Sequence, residues 1–237
     1  MKTFNDIGID SNLDWDRIEH LMKIGIFAGL IALAGDFVLG YGTCNETLTG
    51  FDQYFSRYLT VSDLRVALSA FLGLIGIPLE SLCYFSIYRL IVSKSESYAH
   101  KYRSGLFGIL IFGALVHVVC CITVAYGKLC YASNPVDAPH QIITFALYYL
   151  MPASVLFFIF FMYASIIQWK AFSKGYTPYP KKCRIFNLLM GILIIVIMRL
   201  FGNQAWAYAV STGWISLGSL FMFGGLLKHM KEARYGE

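Results

Sequence analysis

Six apolar runs, at 21–41, 64–91, 105–130, 142–169, 185–201 and 205–227, restrict this chain more than any other feature. A helix rises about 1.5 Å per residue, so about 20 apolar residues cross a hydrocarbon layer roughly 30 Å thick. The runs lack the alternating period of barrel strands, and lipid offers no partner to a free backbone amide, so each run is read as a helix. Composition agrees. Charged residues make up 14% of the chain, against about 25% in a soluble domain. The expectation is an all-α membrane protein: one domain over 1–237, a bundle of six transmembrane helices.

Orientation follows from the basic residues. Arg89, Lys94, Lys101 and Arg103 follow the second run, and Lys170, Lys174, Lys181, Lys182 and Arg184 follow the fourth. Lys228, Lys231 and Arg234 follow the sixth, and Lys2, Arg17 and Lys23 precede or open the first. With six spans all four segments share one side, which the positive-inside rule makes cytoplasmic, so both termini are expected there. Arg57, Arg65 and Lys128 fall on the other side. The same placement accounts for the net charge of +5 without nucleic acid as a partner. An acidic stretch precedes the first run where a signal peptide would be basic, so the run is read as a retained span. Plasma membrane and endoplasmic reticulum satisfy the orientation rule equally.

Between the spans, Ser11 and Asp14 resemble a capping box, and Leu13, Ile18, Leu21 and Met22 share one helical face, which predicts a short amphipathic helix leading into the first span. In the first outer loop, Phe51, Tyr54, Phe55 and Tyr58 are helically spaced. They suit either the membrane surface or a lid over an outward-facing cavity. Cys44 and Cys130 stand at the outer ends of the first and third spans, where a disulfide is expected if the exterior is oxidising. Asn45-Glu46-Thr47 is a glycosylation sequon on the same side.

A charge at the bilayer centre costs at least about 2.5–3.5 kcal/mol on insertion scales, so ionisable residues inside the runs mark candidate sites. Four qualify: Asp36, Glu80, His117 and Arg199. Counted from the inner face, Asp36 lies about 22 Å deep, Arg199 about 21 Å and His117 about 18 Å; Glu80 lies about 21 Å from the outer face. The matching depths and opposite charges of Asp36 and Arg199 predict an ion pair, either as glue between helices or with Arg199 holding an anion and Asp36 acting as base. Glu80 and His117 suit an acid–base pair or a proton relay. Asp36, His117 and Glu80 are therefore the candidate catalytic residues. Arg199, Tyr41, Asn203, His140 and Trp206 are candidates for lining an outward mouth that binds substrate.

No CxxC, HExxH, GxSxG or P-loop is present, so no metal is expected and no cofactor is indicated. The stretch Gly35-Asp36-Phe37-Val38-Leu39 resembles the Gly-Asp-x-x-Leu element of the lysoplasmalogenase family of membrane lipid hydrolases. It covers five residues, and the family's second acidic motif is not found. The resemblance implies lipid chemistry. Three readings of function follow: an enzyme acting on a lipid or small amphiphile, a small proton- or ion-coupled transporter, and a ligand-binding sensor or scaffold.

Overall fold

The computed structural model describes residues 12–236. The fold is all-helical, with 81% of residues in helices and no strand among the described residues. In chain order the helices are α1 (Trp15–Gly40), α2 (Gly50–Leu59), α3 (Asp63–Cys83), α4 (Phe85–Val92), α5 (Glu96–Ser133) and α6 (Ala138–Phe145), which a π turn (Ala146–Leu150) joins to α7 (Met151–Ser173). A 3-10 turn (Lys181–Ile185) follows, then α8 (Met190–Arg199), α9 (Ala205–Thr212), α10 (Trp214–Lys228) and α11 (Met230–Tyr235). Four of these segments are long and apolar enough to cross a membrane: Trp15–Gly40, Asp63–Val92, Glu96–Ser133 and Ala138–Ser173. A fifth is reached if α9 and α10, bent by 64° at Gly213, count as one span.

The first span starts earlier than the apolar run. Asp14 accepts a hydrogen bond from the Arg17 amide at 3.0 Å and caps α1, so Ile18, Leu21 and Met22 of the expected amphipathic face belong to the first span itself. Ser11, the other half of the expected capping box, lies outside the described residues. The π turn before α7 has a local cause. Pro152 has no amide to offer the carbonyl four residues back, and its ring crowds that turn, which widens.

The fifth run departs most from expectation. Only Met190–Arg199 is an α-helix, about 15 Å long, half of what a crossing needs. Asn187 accounts for the late start. Its Oδ1 accepts the Leu189 amide at 3.0 Å, and its Nδ2 donates to the Ser165 carbonyl at 3.0 Å. A side chain that bonds its own backbone this way competes with the helix. Gln168 Nε2 donates to the Phe186 carbonyl at 3.0 Å and ties the irregular stretch to α7.

Helix α1 is central, packed on α3 along one side and on α9 and α10 along another; α5 packs on α3, and α7 on α5. Its buried stripe is built of small residues, Gly25, Ala28, Gly29, Ala32 and Gly35, so backbones meet closely, as in membrane helix pairs generally. Gly76 of α3 shows how closely: a Cβ added there would stand 2.7 Å from the Ala32 amide nitrogen. Two apolar clusters fill the bundle. One, with Met22, Tyr84, Tyr102, Phe161 and Phe223, lies at the end where the described chain begins and finishes. The other, with Leu39, Phe55, Tyr58, Val124 and Tyr208, lies at the α2 end. Helix α2 covers that end with Phe55, Arg57 and Tyr58 buried, so its aromatic face is turned onto the bundle. All six cysteines are free. The expected Cys44–Cys130 disulfide is not formed: Cys44 Sγ donates to the Gln53 carbonyl and Cys130 Sγ to Gln141, on different elements.

The tight α1–α3 contact gives a stability prediction. Gly76→Ala must push backbone off backbone and is expected to cost about 1–3 kcal/mol, seen as a lower Tm in detergent. Gly224→Ala, where an added Cβ meets nothing within 4 Å, is expected to leave Tm unchanged.

Candidate functional site

Between the two apolar clusters lies a layer of buried polar side chains: Ser69, Glu80, His117, Ser216 and Ser219. Buried polar groups need partners, and here they find one another. Asp36 Oδ1 of α1 stands 3.3 Å from His117 Nδ1 of α5. Ser216 Oγ of α10 donates to Asp36 Oδ2 at 3.4 Å, and Thr212 Oγ1 donates to the Asp36 carbonyl at 3.2 Å. His117 Nε2 lies 3.0 Å from the Ser69 carbonyl and 3.3 Å from Ser69 Oγ. The hollow that admits the imidazole is Gly73: a Cβ there would fall 2.1 Å from His117 Cδ2. A glycine one turn along α3 thus decides where the histidine sits.

The Ser69 carbonyl can only accept, so Nε2 carries a proton. Nδ1 then either accepts from a protonated Asp36 or, as imidazolium, faces its carboxylate. The pair holds one shared proton, and its two states differ only in which side keeps it.

Glu80 of α3 lies about two turns along the helix from Gly73, where the His117 ring sits. Tyr84 Oη donates to Glu80 Oε1 at 2.7 Å and lies 2.5 Å from Ser219 Oγ of α10. A cavity of about 190 Å³ brings the groups together, with Asp36, Glu80, Tyr84, His117 and Ser216 in its wall. A larger cavity of about 440 Å³ lies toward α2. Asp36, His117, Cys120, Thr212 and Trp214 border both, so the Asp36–His117 pair stands where the two cavities meet.

Helices α2 and α9 line one side of the larger cavity. Tyr58 Oη and Tyr208 Oη are 2.7 Å apart, Tyr208 Oη donates to Tyr54 Oη at 2.8 Å, and Tyr54 Oη is 3.5 Å from Tyr58 Oη. Arg199 lines the same cavity, its Cζ 5.9 Å from the Tyr208 ring centroid. Arg57 Cζ stands 3.7 Å from that centroid, with the guanidinium buried.

The sequence candidates therefore separate. Asp36, His117 and Glu80 meet at one cavity, and Arg199 joins Asp36 and His117 on the other. The expected Asp36–Arg199 ion pair is not formed. Although both line the larger cavity, the acid meets His117 from α5 and the guanidinium turns to Tyr208. Tyr41, Asn203, His140 and Trp206 line neither cavity. Tyr41 is exposed, with its carbonyl held by Arg65 Nη2 at 2.6 Å, and Trp206 packs on Phe201. Asn203 and His140 are exposed. Tyr54 and Tyr58 of α2 and Tyr208 of α9 line the larger cavity in their place. Sequence reasoning placed the α2 aromatics on a helix but missed Tyr208 and the serines of α10, which lie in apolar runs and carry no charge to mark them.

Such apolar helices around a polar layer define a helical protein of multi-pass membrane type. Residues 2–233 match the model described as Family of unknown function (DUF6796), and the chain belongs to that family. No curated protein and no solved structure matches it. The resemblance of residues 35–39 to the lysoplasmalogenase element stays confined to those five positions.

The tautomer of His117 is open to measurement. ¹⁵N NMR of histidine-labelled protein is expected to show Nε2 protonated in both states of the pair. A His117 with its lone proton on Nδ1 would contradict the arrangement.

Proposed function

We propose that the protein crosses the membrane six times with both termini in the cytoplasm, and that Asp36 and His117 form an acid–base unit acting on a lipid or small amphiphile in the larger cavity. An even number of crossings is supported by the contact between the two ends of the described chain: Arg234 Nη1 lies 3.1 Å from Asp16 Oδ1. The weak fifth run also carries the chain from one end of the bundle to the other. Lys182 pairs with Glu232 at 2.8 Å, whereas Arg199 reaches Tyr208 beside α2. The four residues between the 3-10 turn and α8 add at most about 13 Å to the helix's roughly 15 Å, close to one bilayer core.

One observation carries the functional reading: a carboxyl with a histidine behind it borders a cavity of ligand size. Small-molecule sites run from about 300 to 1,000 Å³, with mostly apolar walls and a few convergent polar groups. Asp36 is the group that gives or takes a proton at the ligand. His117 holds the other end of the shared proton, and Ser216 fixes the second carboxylate oxygen. The contacts run in the order Ser69–His117–Asp36, but Ser69 is fully buried and lines neither cavity. Attack by that serine is therefore not part of the reading, which is proton transfer. Glu80, on the smaller cavity, is a second proton-holding group within the same polar layer.

Coupled transport of the ligand is a second reading. It is favoured by the placing of Glu80 and the Asp36–His117 pair on one cavity and of the pair and the tyrosines on the other, as the stations of a proton relay would be. Both readings place the protein in a membrane, plasma membrane or endoplasmic reticulum, with the bilayer as its partner.

Mass spectrometry of co-purifying small molecules distinguishes them. Turnover predicts a lipid that accumulates on Asp36→Asn and not on the wild type. The same ligand on both forms favours transport or binding, and no ligand on either removes the site.

A further inference from the structure

We propose that the larger cavity selects an amphiphile with an anionic head, a carboxylate or phosphate, bound by Arg199 and the hydroxyl of Tyr54; this rests on the cavity being a ligand site as argued above.

Charge is the first argument. Arg57 and Arg199 both lie against Tyr208, and neither stands within ion-pair distance of a carboxylate among the described residues. The acids nearby are already engaged. Asp36 faces His117, Asp52 accepts from Tyr131, and Asp63 pairs with Lys128. Arg57 is 3% exposed, its Nε donates to the Tyr54 carbonyl at 3.1 Å, and its Nη1 has no partner. Cation–π contact holds such a group in place but leaves its charge intact. Two positive charges thus adjoin the α2 end of the cavity without a carboxylate partner among the described residues, and the buried one, Arg57, is the less screened by water. An anion is the complement such a field attracts.

Hydrogen bonding is the second argument. Three tyrosine hydroxyls carry three protons. Tyr208 donates to Tyr54, which leaves Tyr58 to donate to Tyr208 across their 2.7 Å contact. The proton of Tyr54 then has only the 3.5 Å contact to Tyr58, at the limit of a bond. Tyr54 is 42% exposed and lines the cavity, so its hydroxyl is the free donor. Arg199, exposed and on the same wall, supplies the charged donor that carboxylates and phosphates match bidentately.

The remaining wall is apolar. Leu39, Phe51, Val124, Ile142, Leu150 and Ile195 line it. A head at Arg199 and an aliphatic tail along these residues would occupy the cavity, with Asp36 and His117 bordering the same space.

Native mass spectrometry of the full chain in neutral detergent tests this, with laurate, dodecyl phosphate, dodecanol, dodecyltrimethylammonium and inorganic phosphate each offered at equal concentration. One of the two anionic amphiphiles is expected to bind roughly tenfold more than dodecanol, since the alcohol cannot form the charge-assisted hydrogen bonds that the anionic head makes. Which one leads identifies the head. Arg199→Gln, at an exposed position with Tm as the check on folding, is expected to remove most of the preference, and Tyr54→Phe part of it. Asp36→Asn is expected to keep it, so a failed acid–base reading and a failed head-group assignment give different results. Equal binding of dodecanol and both anions, a preference unmoved by Arg199→Gln, or inorganic phosphate binding as well as dodecyl phosphate would overturn the proposal.

Discussion

Moving a carboxyl group out of water costs several kcal/mol unless a partner meets it, and Asp36 lies within an apolar run. The rest of the bundle is arranged around that requirement. His117 comes from α5, Ser216 from α10 and Ser69, which holds the far side of the imidazole, from α3. Three helices therefore converge on one side chain of α1. They can do so because α1 and α3 present glycine and alanine where they touch, and because Gly73 leaves room for a ring that any larger residue would displace. The polar layer and the small-residue stripe are one solution: close backbones keep the layer narrow, and the layer's contacts set the register of the helices.

The same layer divides the interior. Apolar clusters pack above and below it, and the two cavities meet at it. Glu80 and Tyr84 belong to the smaller space; the tyrosines of α2 and α9, with Arg199, belong to the larger. Proton-holding groups at the junction with an apolar-walled chamber on one side suit chemistry on a molecule that comes from the membrane. Two guanidiniums that meet no carboxylate among the described residues, at the far end of that chamber, suit a molecule bearing negative charge.

Much of this was legible in the residues. Charges inside apolar runs stand out because they are costly, and Asp36, Glu80, His117 and Arg199 all border the cavities. The pairing was not legible. Depth along a helix put Asp36 level with Arg199, but it also put His117 within about 4 Å of the same level. Depth is silent on which helices are neighbours, and α1 proved to lie where α5 could reach its carboxyl. The late start of α8 within the fifth run was not legible because hydropathy does not register a side chain such as Asn187 bonding its own backbone. The 64° bend at Gly213 escaped for a related reason: a glycine in an apolar run reads the same whether it bends or packs. Tyr41, Asn203, His140 and Trp206 were placed at a mouth but line neither cavity.

The Asp36–His117 contact is the claim on which the account turns, and a double-mutant cycle measures it directly. Thermal unfolding in detergent would be compared for Asp36→Asn, His117→Gln and the double variant. Directly contacting residues show coupling of about 0.5–3 kcal/mol, so the double variant is predicted to lose clearly less stability than the sum of the two single losses. Strict additivity of the two substitutions would contradict the pairing and, with it, the organisation of the site.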